Sequence, residues 1–471
     1  MDSATLLTFI ALLLGLYMAW NIGANDVANA MGTSVGSKAL SLRRAVLVAA
    51  VLEFSGAFFV GSSVSETIQK GIIDLSIFEY NPMVFVLGML GSLLATGVLL
   101  QLASYYGLPV STTHAIVGAV IGFGAAIGGI DAIHWSEVAW IATSWIVSPL
   151  LSGIIAHLIF RAIQQKVLYA LNPVQAAQKL TPFFVFLCFT VVTLSLFSDR
   201  LADQLHLSSP FIFCLAITLG LLASLLSYFL IRRRPQSALP SDGFHLQQAV
   251  SLEKALHHFQ RVHLANRNEN HGEQISHILA QMGKLSDSLK KNTLFHHSSA
   301  QYHEVEKIFI YLQILSACLV AFAHGANDVA NAIGPVAAVL SVLKTHTMSS
   351  QSDVPGWLLA LGGGGIVIGL ATWGWRVIET VGNKITELTP TRGFSAEFGA
   401  AFTILLASKL GLPISTTHAL VGAVLGVGMA RGIRALNLQT LREIVVSWIV
   451  TIPLCACISI CAFYILKWIF L

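Results

Sequence analysis

Apolar residues in this chain neither alternate nor mark one face of a half-buried helix; they come in long runs separated by short polar turns. Runs of about 18 residues or more match a bilayer crossed by helices, whereas a membrane barrel shows short alternating segments. The pattern predicts spans at about 5–35, 45–62, 83–104, 109–128, 137–160, 181–198 and 210–231. After a polar segment at 232–306 they resume at about 308–340, 357–376, 396–410, 411–428 and 444–468. The expectation is an all-α polytopic membrane protein with about 12 transmembrane segments.

Two stretches are written twice. Gly-Ala-Asn-Asp-Val-Ala-Asn-Ala runs from Gly23 to Ala30 and again from Gly325 to Ala332. Gly107-Leu-Pro-Val-Ser-Thr-Thr-His114 returns as Gly411-Leu-Pro-Ile-Ser-Thr-Thr-His418, and Ser144-Trp-Ile-Val-Ser returns as Ser447-Trp-Ile-Val-Thr. The order and separation are nearly the same, so the chain is internally duplicated. An odd number of span-to-span steps separates the two copies, so the halves enter the membrane in opposite directions. That is an inverted-topology repeat, an architecture that places substrates at the midplane between halves. The division expected is 1–160 for the N-terminal repeat, 161–231 for two additional helices, 232–306 for a cytoplasmic loop and 307–471 for the C-terminal inverted repeat. The first and eighth spans exceed the usual length and carry the Asn-Asp motif between glycines, so they are expected to be broken or strongly tilted. The fourth and eleventh open at Pro109 and Pro413 and, with the spans before them, read as helical hairpins.

Composition agrees: 55% of residues are hydrophobic, 11% are charged and the mean hydropathy is +0.74, against roughly 25% charged in soluble domains. All six cysteines lie inside apolar runs and read as small buried hydrophobes. The start, Met1-Asp2-Ser3, lacks a basic n-region, so the first run is expected to be a retained span. With the N-terminus outside, the outer face receives only Lys70, Arg200, Lys344, Lys409 and Lys467 of the 27 lysines and arginines. The positive-inside rule therefore sets both termini outside and the 232–306 loop inside, in a multi-pass protein of the cell membrane. That loop holds two amphipathic runs, Val250 to Val262 and Ile275 to Leu285, and nine histidines including His245, His257 and His263. Without cysteines or a fixed His–carboxylate spacing, it reads as a solvated linker rather than a metal site.

Charge placed inside apolar runs carries the chemistry. Asp26 and Asp328 lie beside Asn25 and Asn327 near mid-membrane, where ionisable groups are costly and functional by default. Ser111, Thr112 and Thr113, with Ser415, Thr416 and Thr417, follow prolines at helix starts. Two half-helix N-termini with six hydroxyls make a donor-rich anion site without lysine or arginine; the competing reading has these hydroxyls bonding back to their own helix carbonyls. An anion site beside two aspartates requires either co-bound cations or a substrate that brings its own proton. Glu53 and Glu397 are candidates for a further cation or proton site, against local pairing to a hydroxyl or backbone group. His114 and His418 divide between proton handling and structural hydrogen bonding. Gly362 to Gly365 lack a following Lys-Ser/Thr and read as close helix packing, and there is no Walker motif to suggest ATP. No nucleophile–base pair or zinc signature points to an enzyme, and nothing points to nucleic acid. A homo-oligomer is compatible with this composition.

The doubled Asn-Asp and Ser-Thr-Thr-His motifs, and Ser65-Glu-Thr-Ile-Gln-Lys-Gly-Ile-Ile-Asp74, resemble the inorganic phosphate transporter (PiT) family over about 1–160 and 305–471. The resemblance implies a secondary transporter that imports inorganic phosphate by symport with Na⁺ or H⁺, by alternating access and without a cofactor. It implies that Asp26 and Asp328 are essential. Asn25, Asn327 and the triplets at 111–113 and 415–417 would line phosphate and cation sites, and Glu53 and Glu397 would match transport glutamates. Relatives that carry sulfate or a metal–phosphate complex leave those as the alternative substrates. A channel would show uncoupled flux, and a binding-only receptor would leave four buried acids unexplained.

Overall fold

The structure, a computed structural model, describes residues 3–108, 110–197, 201–202, 205–232, 269–289, 295–345, 347–348, 354–375, 377–378, 389–431 and 438–471, with short pieces between 252 and 260. Pro109, Arg200, Arg233, Arg234 and Arg434 lie outside the described residues, as do Val250 and Val262 of the first amphipathic run and His245, His257 and His263. No strand occurs among the described residues; one isolated antiparallel bridge joins Ile73 and Ile133.

The N-terminal half comprises α1 (Ser3–Gly36), α2 (Leu42–Val60), α3 (Ser62–Lys70), α4 (Pro82–Tyr105), α5 (Thr112–Gly128) and α6 (Trp135–Ile163). Two further helices follow, α7 (Pro173–Leu196) and α8 (Ser209–Arg232), then α9 (Glu269–Leu289) in the polar segment. The C-terminal half is α10 (Phe295–Thr345), α11 (Gly356–Thr372), α12 (Pro390–Lys409), α13 (Thr416–Arg431) and α14 (Leu438–Phe470). Every apolar run singled out in the sequence falls on one of these helices. Seven are long and apolar enough to cross a bilayer unaided, or eight if the bent pair α2–α3 counts as one span.

The expected breaks in the first and eighth spans do not occur at the Asn-Asp motifs. Helix α1 runs unbroken for 34 residues and α10 for 51, lengths of roughly 51 and 77 Å against a hydrocarbon core of about 30 Å. The motif side chains find partners across the bundle, so the backbone has no need to unwind. The break lies instead at Gly61, where α2 and α3 meet with a bend of 68°.

Both hairpins form. Gly107 (φ 66°) and Gly411 (φ 67°) end α4 and α12 in the left-handed region. There Leu108 N donates to Ala103 O and Leu412 N to Ala407 O, each at 2.9 Å, the Schellman closure that a glycine permits.

The halves exchange partners: α1 packs on α11 and α2 on α10, while α5 packs on α14 and α6 on α13. Glycines allow this approach. A Cβ on Gly23 would strike Ile366 O and one on Gly369 would strike Trp20 O; in the other half, Gly325 meets Glu53 O and Gly56 meets Phe322 O. In the run at 362–365, Gly362, Gly363 and Gly365 face α10, α2 and α1, whereas nothing lies within 4 Å of a Cβ on Gly364.

Candidate functional site

Residues three and four apart share a helix face, so α1 presents Asn25, Asp26 and Asn29 together and α10 presents Asn327, Asp328 and Asn331. All six are buried. The triplets open α5 and α13. Ser111 Oγ accepts from His114 N at 3.3 Å and Ser415 Oγ from His418 N at 3.2 Å, so each serine caps its helix and leaves first-turn N–H groups at the site.

The threonines do not bond back to their own helices. Thr112 Oγ1 donates to Asp26 Oδ2, and Thr416 Oγ1 donates to Asp328 Oδ2 at 2.8 Å. Thr113 Oγ1 donates to Ile414 O at 2.9 Å and accepts from Asn331 Nδ2 at 3.3 Å. Thr417 Oγ1 accepts from Asn29 Nδ2 at 2.8 Å. The last three contacts run from one half to the other, so the two helix starts abut at the pseudo-twofold axis. His114 and His418 complete the junction. Their Nδ1 atoms lie 3.3 and 3.2 Å from Trp448 O and Trp145 O, their rings pack against Trp145 and Trp448, and their centroids are 4.5 Å apart. A carbonyl only accepts, so each Nδ1 donates, which favours the structural reading.

The motif amides use only their nitrogens. Asn25 Nδ2 donates to Ser104 Oγ (2.9 Å) and Leu108 O (3.3 Å); Asn327 Nδ2 donates to Ser408 Oγ (3.1 Å) and Leu412 O (3.3 Å). Because a carbonyl can only accept, these contacts fix the amide orientation. They leave Asn25 Oδ1 and Asn327 Oδ1 buried with no protein donor, together with Asn331 Oδ1 and Asp328 Oδ1. Buried oxygens without a partner are uncommon. Three amide oxygens beside two carboxylates, one of which keeps an oxygen free of donors, form a hard-oxygen environment suited to a cation such as Na⁺. No lysine or arginine is buried among the described residues.

The two glutamates part company. Glu397 is enclosed by donors: Thr33 Oγ1 (2.5 Å), Ser34 Oγ (2.7 Å) and Gln313 Nε2 (3.3 Å) on Oε1, and Ser316 Oγ (2.5 Å) on Oε2. Glu53 instead faces His324, with Nδ1 at 3.2 Å from Glu53 Oε1 and Nε2 at 2.9 Å from Asp328 Oδ2. The first therefore sits apart from the Asn-Asp pair, while the second connects to it through an imidazole.

Sequence reasoning passed over Asn29, Asn331 and His324. The second asparagine was legible in the motif, four residues after the first; His324 was legible as the residue before the second copy, where the first has Ile22. The donors around Glu397 come from two helices, α1 and α10, far from it in the chain, and carried no local signal.

A duplicated helical fold that encloses acids, amides and paired helix starts between inverted halves defines a multi-pass membrane transporter. The phosphate transporter family model matches residues 22–459, and the chain belongs to that family. It is 46% identical to the inorganic phosphate transporter 2-1, chloroplastic, of Arabidopsis thaliana, over 99% of this chain and 72% of that protein. A solved structure, "The sodium-dependent phosphate transporter", superposes with a TM-score of 0.77 at 37% identity, covering 98% of this chain and 99% of that one.

Proposed function

We propose that this protein imports inorganic phosphate by symport with Na⁺, by alternating access around the junction of its two halves. The observation that carries the reading is the set of buried oxygens without donors, on Asn25, Asn327, Asn331 and Asp328 itself, gathered at the two Asn-Asp motifs. Phosphate, an anion, cannot enter a site walled by carboxylates unless cations neutralise it. Asp26 and Asp328, with Asn25 and Asn327, are the proposed cation ligands. Ser111, Thr112 and Thr113 with Ser415, Thr416 and Thr417, and the N–H groups behind them, are the proposed phosphate ligands. When cations take over Asp26 and Asp328, the Thr112 and Thr416 hydroxyls are released to the anion. That exchange couples the two solutes without a cofactor. Glu397, on α12 and bonded to α1 and α10, is proposed to report cation binding to those helices. Sodium is favoured over protons because the structural neighbour at 37% identity is a sodium-dependent phosphate transporter.

Both termini outside and the 232–306 segment inside remain part of the proposal. Contacts between helix ends support this alternation: Thr67 Oγ1 donates to Gly411 O and Ile73 bridges Ile133 on the side read as outer. Tyr302 donates to Leu168 O, and Glu306 accepts from Thr391, on the side read as inner.

The test is labelled phosphate uptake into proteoliposomes, with a Na⁺ gradient and a pH gradient imposed separately. Accumulation driven by Na⁺ alone is expected. Accumulation driven only by pH would replace sodium with the proton, and competition by unlabelled sulfate would shift the substrate.

A further inference from the structure

Inside membrane helices, serine and threonine hydroxyls ordinarily bond back to the carbonyl one turn earlier. Ser92 and Thr96 on α4, and Ser395 and Thr403 on α12, do so: each donates to the carbonyl four residues before it, at 3.0, 2.8, 2.8 and 2.9 Å. Ser104 and Ser408, in the last turns of the same two helices, turn elsewhere. Ser104 Oγ accepts from Asn25 Nδ2 at 2.9 Å, and Ser408 Oγ accepts from Asn327 Nδ2 at 3.1 Å. Both serines are buried.

The same serines close the hairpin turns. Gly107 N donates to Ser104 O and Gly411 N to Ser408 O, each at 3.1 Å. Just past each turn, Leu108 O and Leu412 O accept from the same two amide nitrogens at 3.3 Å. An amide carries two N–H groups and one carbonyl oxygen. With both N–H groups held by the hairpin, the oxygen is turned away from it, and Asn25 Oδ1 and Asn327 Oδ1 are left without a protein donor. A few residues further on, Ser111 and Ser415 cap the helices that open the anion site. One short piece of chain, from Ser104 to Thr113, therefore grips a motif amide at one end and forms an anion seat at the other. The piece from Ser408 to Thr417 repeats the arrangement.

We propose that Ser104 and Ser408 are positioning residues for the cation: each holds the nitrogen side of a motif amide so that its oxygen is presented to Na⁺. The inference rests on the sodium symport reading and deepens it. Because each hairpin also carries the proposed phosphate ligands, a shift of the hairpin on anion binding re-aims the amide oxygen. The two solutes are thereby linked through ten residues of chain rather than through the whole bundle.

The experiment removes the grip without touching a ligand. Ser408→Ala deletes the hydroxyl, Ser408→Cys keeps the side chain but replaces oxygen with a poor acceptor, and Ser408→Thr keeps the hydroxyl. Each full-length variant is reconstituted, and phosphate uptake is titrated with Na⁺ and, at saturating Na⁺, with phosphate. Wild-type protein without Na⁺-driven uptake would remove the sodium reading before any variant is compared. With it established, the Ala and Cys variants are expected to raise the half-saturating Na⁺ concentration by about three- to tenfold, the loss of one buried hydrogen bond. Their phosphate KM at saturating Na⁺ is expected to stay near the wild-type value, and Ser408→Thr is expected to restore the Na⁺ dependence. Thermal melts in detergent should match wild type without Na⁺ and need more Na⁺ for the same stabilisation. Wild-type Na⁺ dependence in both the Ala and Cys variants would overturn the assignment. So would recovery in Ser408→Cys, which would reduce the role to packing, or an equal rise of the Na⁺ and phosphate constants. Should a Ser408 variant not be recovered from membranes, the same substitution at Ser104 gives the comparison under the same criteria.

Discussion

At the scale of the residue, the polar atoms of the site are matched on the donor side of its threonines and amides. Threonine hydroxyls find carboxylates and amide nitrogens find turn carbonyls, while the motif's Asn25, Asn327 and Asn331 keep acceptor oxygens without donors. Those oxygens make the site cation-seeking. Asp328→Asn keeps the size of the side chain and its Thr416 contact but removes the charge. It is expected to reach the membrane in normal amount and to lower phosphate uptake by at least about a hundredfold, the scale of a buried charge deprived of its partner. Uptake at wild-type rate would refute the role given to this carboxylate. The repeated motif made Asn25, Asp26, Asn327 and Asp328 legible from sequence. The use of only their nitrogens was not, because an amide's orientation depends on which carbonyl a distant turn presents.

At the scale of the element, glycines decide how closely helices approach. A methyl group on Gly23 or Gly325 would enter the backbone oxygen of Ile366 or Glu53, and a main-chain atom cannot step aside as a side chain can. Gly23→Ala and Gly325→Ala are expected to cost about 1–3 kcal/mol. Gly364→Ala, with open space around it, is expected to be neutral or to stabilise by roughly 0.5–1 kcal/mol, the ordinary helix preference for alanine. Thermal melts in detergent separate the two outcomes, and equal melting of all three variants would contradict the packing. Of the two alternatives the sequence offers for these helices, broken or strongly tilted, their continuity removes only the first. The Asn-Asp motif resembles a helix breaker in isolation, yet α1 and α10 carry it through unbroken because their side chains are satisfied by α5 and α13.

At the scale of the whole molecule, the two halves interlock rather than sit side by side. Each hairpin start is bonded to the motif helix of the other half, Asn29 to Thr417 and Asn331 to Thr113. Movement of one half against the other must break these bonds, which are the natural counterparts of bound solute. The proposed alternation of helix ends puts 232–306 inside and the turn between α5 and α6 outside. On a cysteine-free background, a cysteine at Ser237 is expected to react with a membrane-impermeant thiol reagent only after the inner face is exposed. One at Asp131 should react from outside in intact cells. The reverse pattern would invert the topology.

The sequence by itself determined the membrane class, the duplication, the inverted order of the halves and the positions of the repeated acids, amides and hydroxyls. These follow from periodicity and from identity between copies, both local in the chain. Only the tertiary structure decided the exchange of packing partners, the donors around Glu397 and the link from Glu53 through His324 to Asp328. The reason is physical: a buried charge is defined by the partners that enclose it, and here those partners come from helices far apart in the chain, brought together by packing that no single segment encodes.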